Sequence, residues 1–147
     1  MTLASELQDL ADLCQASAQQ NLSLLIGMGP RPTDPAGKAA WDLGQSRLRG
    51  QIDRLTALAI ELSGHAVVAG LQTANEDFAS LQDVTKAAAE RIKQIAKISD
   101  ALTIVGAVLD LGLAVLTLAA GPSPANAVAL VKKAGDLKKL IEAAAEE

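Results

Sequence analysis

From Leu71 to Leu116, apolar and small residues recur at alternating spacings of three and four: Leu71, Ala74, Phe78, Leu81, Thr85, Ala88, Ile92, Ile95, Ser99, Leu102, Gly106, Leu109, Leu113 and Leu116. A repeat that averages 3.5 residues keeps a single stripe on one side of a helix, so this stretch can become a left-handed helical bundle or a coiled coil and little else. The side chains available suit that architecture. Half of the residues are hydrophobic but only 1% are aromatic, with Trp41 and Phe78 alone, so the interior is built of Leu, Ile, Val and Ala. Alanine and leucine favour helices, and the β-branched and aromatic enrichment expected of strands is missing. A chain of 147 residues is the size of one ordinary domain, able to bury roughly two thirds of its unfolded surface. We expect a single all-α domain over residues 1–147.

Local signals set the boundaries. Ser5 to Gln8 forms a capping box, and Leu3, Leu7, Leu10, Cys14, Ala18, Leu22 and Leu25 follow on one face, giving a first helix that ends near Gly27. Gly27, Gly29, Pro30 and Pro32 make residues 27–34 a loop, and Asp34 before Pro35 is an N-cap followed by proline at the first helical position. The second helix carries Leu48, Ile52, Leu55, Ala59, Leu62 and Ala66 and runs to about Gly70. Thr73 to Glu76 is another capping box, which puts a turn at Gly70 to Gln72; Ser99 and Asp100 offer a further break. An unbroken helix from Thr73 to Ala120 would span roughly 70 Å at 1.5 Å per residue. Gly121 and Pro122 end it, and Ser123 with Pro124 starts the last helix, with Val128, Val131, Ala134, Leu137 and Ile141 as its buried face. The expected fold is an elongated helical bundle of four to five helices, with a heptad-patterned long helix and an apolar C-terminal hairpin.

Sites for chemistry are hard to find. His65 is the only histidine, which removes HExxH zinc sites and multi-histidine metal centres. Glu61 precedes His65 by four residues, so the two form a pair one helical turn apart; the di-iron motif needs a spacing of three and a second copy. Gly37-Lys38 fails as a phosphate-binding loop because Pro32 and Ala39 stand where Gly and Ser or Thr are required. Cys14 lies on the apolar stripe of the first helix and has no partner for an intramolecular disulfide. The net charge is -4, and the basic residues Arg31, Lys38, Arg47, Arg49 and Arg54 are interleaved with Asp34, Asp42 and Asp53, which argues against nucleic acid. We expect no enzyme, no cofactor and no catalytic or metal site. Met1 to Asp12 has no basic leader and carries Glu6, Asp9 and Asp12, which implies cytoplasmic synthesis and leaves export without a classical signal peptide open.

The unusual segment is Ala101 to Ala120, long enough to cross a bilayer as a helix, with Asp110 at its centre. Its ten Leu, Ile and Val residues favour insertion by roughly 4 kcal/mol, and a central Asp opposes it by about 3 kcal/mol, with Gly and Thr subtracting more. The balance is near zero. In a soluble bundle, the small face Thr103, Gly106, Ala107, Asp110, Ala114 and Thr117 packs closely on a neighbour and gives Asp110 a partner or a wet edge. In a membrane, residues 101–131 form an apolar hairpin around Gly121 to Pro124, with Lys132, Lys133, Lys138 and Lys139 at the headgroups. In layout alone, residues 71–131 resemble α-helical pore-forming toxins.

The sequence therefore supports two functions. The leading one is a helical interaction or assembly protein that binds copies of itself or a helical partner through a seam of Leu81, Ile92, Ile95, Leu102, Leu109, Leu113 and Leu116. The alternative is a membrane-active helical protein, a pore-forming toxin component or effector, that uses the hairpin, with Asp110 as its switch.

Overall fold

A computed structural model describes residues 3–74 and 79–145, and among them every regular element is an α-helix. The order is α1 (Leu3–Gly27), α2 (Pro35–Leu62), α3 (His65–Ala74), α4 (Ala79–Ile92), α5 (Ile98–Ala120) and α6 (Pro124–Ala145). The helices pack as a bundle in which α1 pairs with α2 and α5 pairs with α6 as a hairpin. One core cluster draws buried residues from all six, including Leu7, Leu10, Leu55, Leu62, Leu71, Ile92, Leu111 and Leu137.

Several boundaries follow the local chemistry. The Asp34 side chain accepts a hydrogen bond from the Gly37 amide at 2.7 Å and Pro35 opens α2. A side chain at Gly37 would overlap that same carboxylate and come within 2.9 Å of Pro32 Cβ, so glycine there belongs to the cap. At the start of α6 the Ser123 hydroxyl accepts from the Asn126 amide at 3.2 Å, ahead of Pro124. The loop between α1 and α2 turns through Gly29 in the left-handed region, where glycine has no Cβ penalty.

Other boundaries fall elsewhere than expected, which is why six helices are described and not four to five. The second helix does not reach Gly70: it stops at Leu62, where Ser63 caps it and the Gly64 amide donates back to the Glu61 carbonyl. Gly70 lies inside α3, where it works as a contact and not a turn; a Cβ there would overlap the Ala119 backbone of α5. Glu61 and His65 consequently belong to different helices, and the His65 side chain lies outside the described part of the chain. Phe78 of the heptad series and Glu76 of the second capping box also lie outside the described residues. The long seam helix is interrupted between Ile92 and Ile98 by a turn in which the Gln94 and Ile95 amides donate to the Arg91 and Ile92 carbonyls. Gln20 of α1 holds this turn by donating to the Ile95 carbonyl at 2.6 Å. The 23 residues of α5 alone span about 35 Å.

α5 is the hub. It packs against α6, α2, α3, α1 and α4, so the segment apolar enough to cross a membrane is the central helix of the bundle. Close approach is needed on two sides: a Cβ at Gly112 would come within 3.0 Å of Leu58 Cγ, as Gly70 meets Ala119 on another.

Candidate functional site: a groove over the central helix

The interruption before Ile98 resets the helical phase of the seam. Leu81 and Ile92 are buried ahead of it, and Ile95 is buried within it. Beyond it the buried stripe of α5 runs through Ala101, Val105, Val108, Gly112 and Val115, each one residue before a member of the expected series. Leu109 is buried, Leu102 and Leu116 are partly buried, and Leu113 is 54% exposed. The shift turns a different face of α5 outward than the seam implied. α6 departs from expectation only in its first half: Ala127 and Leu130 face the core where Val128 and Val131, 68% and 62% exposed, were expected, while Ala134 and Leu137 are buried as expected and Ile141 packs partly buried against the core.

The outward face of α5 is the one with the small residues. It forms the floor of a groove of about 710 Å³, with Thr103, Gly106, Ala107, Asp110 and Leu113 along it. Arg54, Leu58 and Glu61 of α2 make one wall, and Lys133, Asp136 and Leu140 of α6 make the other. A shallower continuation follows α5 to Thr117 and Ala114 and is bounded by Asn126 and Ala129 of α6. From Thr103 to Thr117 the floor runs about 21 Å, close to four helical turns. The two walls do not pack extensively on each other, so the groove has the form of a bundle position left open between α2 and α6.

Asp110 sits at the middle of this floor and is exposed to water. It has the wet edge; Thr103 and Thr117 on the same face are exposed and Ala107 and Ala114 are partly buried against the core, while the closest packing of α5 is made by Gly112 and Ala119 on other faces. Arg54, Glu61, Asp110, Lys133 and Asp136 form no ion pair among the described residues, although all five line the same groove. The end of the groove is held by an amide relay: Asn21 Nδ2 donates to Gln51 Oε1 at 2.8 Å, and Gln51 Nε2 donates to the Leu102 carbonyl at 2.9 Å. This relay ties α1, α2 and α5 together beside the groove.

Among the described residues, no three His, Cys, Asp or Glu side chains lie close enough together to hold a metal ion. Cys14 is fully buried in α1, and burial pushes its thiol up to about 12. The basic stretch near the first loop is engaged in part: Arg31 donates to both Asp42 carboxylate oxygens, at 2.9 and 2.7 Å. That hydrogen-bonded pair holds the Asp42 carboxyl below its ordinary value and the Arg31 guanidinium above its own.

No protein-family model, curated protein or solved structure matches this chain.

The function of the groove rests on its shape and chemistry. Its walls escaped sequence reasoning. The floor was visible as a small-residue face interrupting an apolar helix, but Arg54 and Glu61 come from α2 and Lys133 and Asp136 from α6, and no periodicity links positions so far apart.

Proposed function

We propose that this is a non-enzymatic helical interaction and assembly protein, which seats a helix from another copy of itself or from a helical partner in the groove over α5. One observation carries the proposal: a helix packed by all five others keeps an open face, walled on both sides from Thr103 to Leu113 and continued beside α6 alone to Thr117, with five charged groups along it that form no ion pair among the described residues. Helix-in-groove docking uses such a surface, since an incoming amphipathic helix covers the apolar floor while its polar flanks meet the charges on the walls. Leu113, exposed at 54%, supplies the apolar anchor point. Leu81, Ile92 and Ile95 act from the core behind it, and the seam serves the assembly by keeping α4 and α5 in place.

A second reading is favoured by α5 itself, which is long and apolar enough to cross a membrane and is joined to α6 as a hairpin. In that reading the protein is membrane-active, and residues 101–131 leave the bundle to enter a bilayer. Half of the most apolar window of α5 is buried inside the bundle, so the helix must first give up its packing against the other five.

Light scattering with and without liposomes separates the two. An assembly protein has a mass in solution that is a multiple of 15.1 kDa, or rises when a helical partner is added, and leaves liposomes alone. A monomer that floats with liposomes overturns the assembly proposal.

A further inference from the structure

α6 has two faces. Ala127, Leu130, Ala134 and Leu137 cover the chain's own core. Val128, Lys132, Gly135 and Lys139, at spacings of four, three and four, run along the outside, about 150° round the helix at 100° per residue. Val128 is exposed on this stripe, both lysines are exposed, and a Cβ at Gly135 would meet nothing within 4 Å. Gly135 borders a hollow against Asp83, Val84 and Ala87 of α4, and the rest of this apolar-and-basic stripe faces water.

We infer that the occupant of the groove is a second copy of this chain, which lays this outer stripe of α6 over α5 in a two-fold dimer. The inference rests on the assembly reading above and names its partner. Charge is the first argument: the floor carries the Asp110 carboxylate, the walls set Glu61 and Asp136 against Arg54 and Lys133, so acidic groups outnumber basic ones in the groove, and the stripe brings Lys132 and Lys139 to the carboxylates. Size is the second. The stripe from Val128 to Lys139 is about 17 Å long against about 21 Å of floor, and Gly106 and Ala107 below with Gly135 above let the two backbones approach closely.

Symmetry is the third argument. α6 is one wall of the groove, so a two-fold rotation that places one α6 over the partner's α5 returns the partner's α6 to the first groove. Each α6 is then held between its own α5 and the other one, and the contact is self-complementary. The exposed Val128 and Leu113 are both covered in this arrangement.

The test is a charge swap read by light scattering at tens of micromolar. The wild type has a mass twice 15.1 kDa. Asp110→Lys alone sets lysine against lysine in both grooves, and Lys132→Asp with Lys139→Asp sets aspartate against aspartate, so each variant dimerises at least tenfold more weakly. Mixing the two variants restores a dimer, because in the mixed pair both grooves face the opposite charge. The substituted side chains are exposed, and unchanged helical circular dichroism and melting show that each variant is folded. Three results overturn the inference: a monomeric wild type, variants that dimerise as the wild type does, or folded monomeric variants that do not recombine. A wild type that assembles while the swap fails leaves the assembly reading standing with another partner or surface. A monomeric wild type that floats with vesicles of phosphatidylcholine and phosphatidylglycerol overturns both.

Discussion

Cys14 illustrates what burial does to a single group. Desolvation disfavours the thiolate, so the folded-state pKa, about 12, lies above the ordinary value of 9.0. Below pH 9 the thiol is neutral in both states and its contribution is constant; as pH rises further the unfolded chain ionises first, and stability is lost. Thermal melts at pH 8 and pH 10 should therefore show a lower midpoint at the higher pH, and the difference should shrink in Cys14→Ala. The same burial predicts that a thiol reagent labels Cys14 only after denaturant is added. Asp42 has the opposite sign. Its bond to Arg31 lowers the folded pKa, so the pair contributes at neutral pH and the contribution is lost as pH falls through the carboxylate range. Gln51 is of a third kind, because its amide serves α1 and α5 at once. Replacing it by Leu strands the Asn21 amide and removes the second bond to the Leu102 carbonyl, with an expected cost of about 1–3 kcal/mol in a denaturant titration.

Helices here are set by contacts that propensity alone does not show, and the glycines separate the two influences. Gly50 and Gly70 both lie within helices. A Cβ at Gly50 meets nothing, so Gly50→Ala should stabilise the protein by about 0.5–1 kcal/mol through helix propensity. At Gly70 the methyl collides with the Ala119 backbone, which has no free rotamer to move, so Gly70→Ala should destabilise by about 1–3 kcal/mol. Melting the two variants side by side checks the contrast; equal shifts would contradict the α3–α5 packing. Ile95 lies in the turn between α4 and α5 and is nonetheless buried. Ile95→Asp should lower stability by about 3 kcal/mol or more, since it places an unpaired carboxylate in the core and removes apolar contact. An unchanged melting temperature would contradict the placement of that turn. The heptad pattern was legible from Leu71 onward because it is a property of neighbouring residues, and Ser99 with Asp100 marked a break in it; that the turn falls earlier, between Ile92 and Ile98, was not legible, because it is held by Gln20, which is 75 residues away from its acceptor.

At the scale of the molecule, the membrane question turns on Asp110. Asp110→Leu removes the largest single cost of inserting residues 101–120, about 3 kcal/mol, so a protein that enters bilayers should float with liposomes much more strongly once it is changed. In an assembly protein whose α5 is held by five helices, the change alters groove occupancy and leaves flotation at background. Flotation of both proteins at neutral pH gives the answer, and a strong gain by the variant would decide against the groove as a docking site. Much of the architecture could be anticipated before any tertiary structure. The 3.5-residue repeat and the near absence of aromatics made the chain a helical bundle, and Asp34-Pro35 and Ser123-Pro124 set two helix starts, because capping is a bond between residues three apart. The apolar C-terminal hairpin was visible as a composition. Only tertiary structure decided which face of α5 turns outward, which stripe of α6 reaches the core, and that Gly70 is a contact and not a turn. The physical reason is common to all three: a helix with apolar residues on most sides has several burial solutions of similar energy, and its neighbours choose among them. The groove is the remainder of that choice, a face of the central helix that the described residues leave open around Asp110.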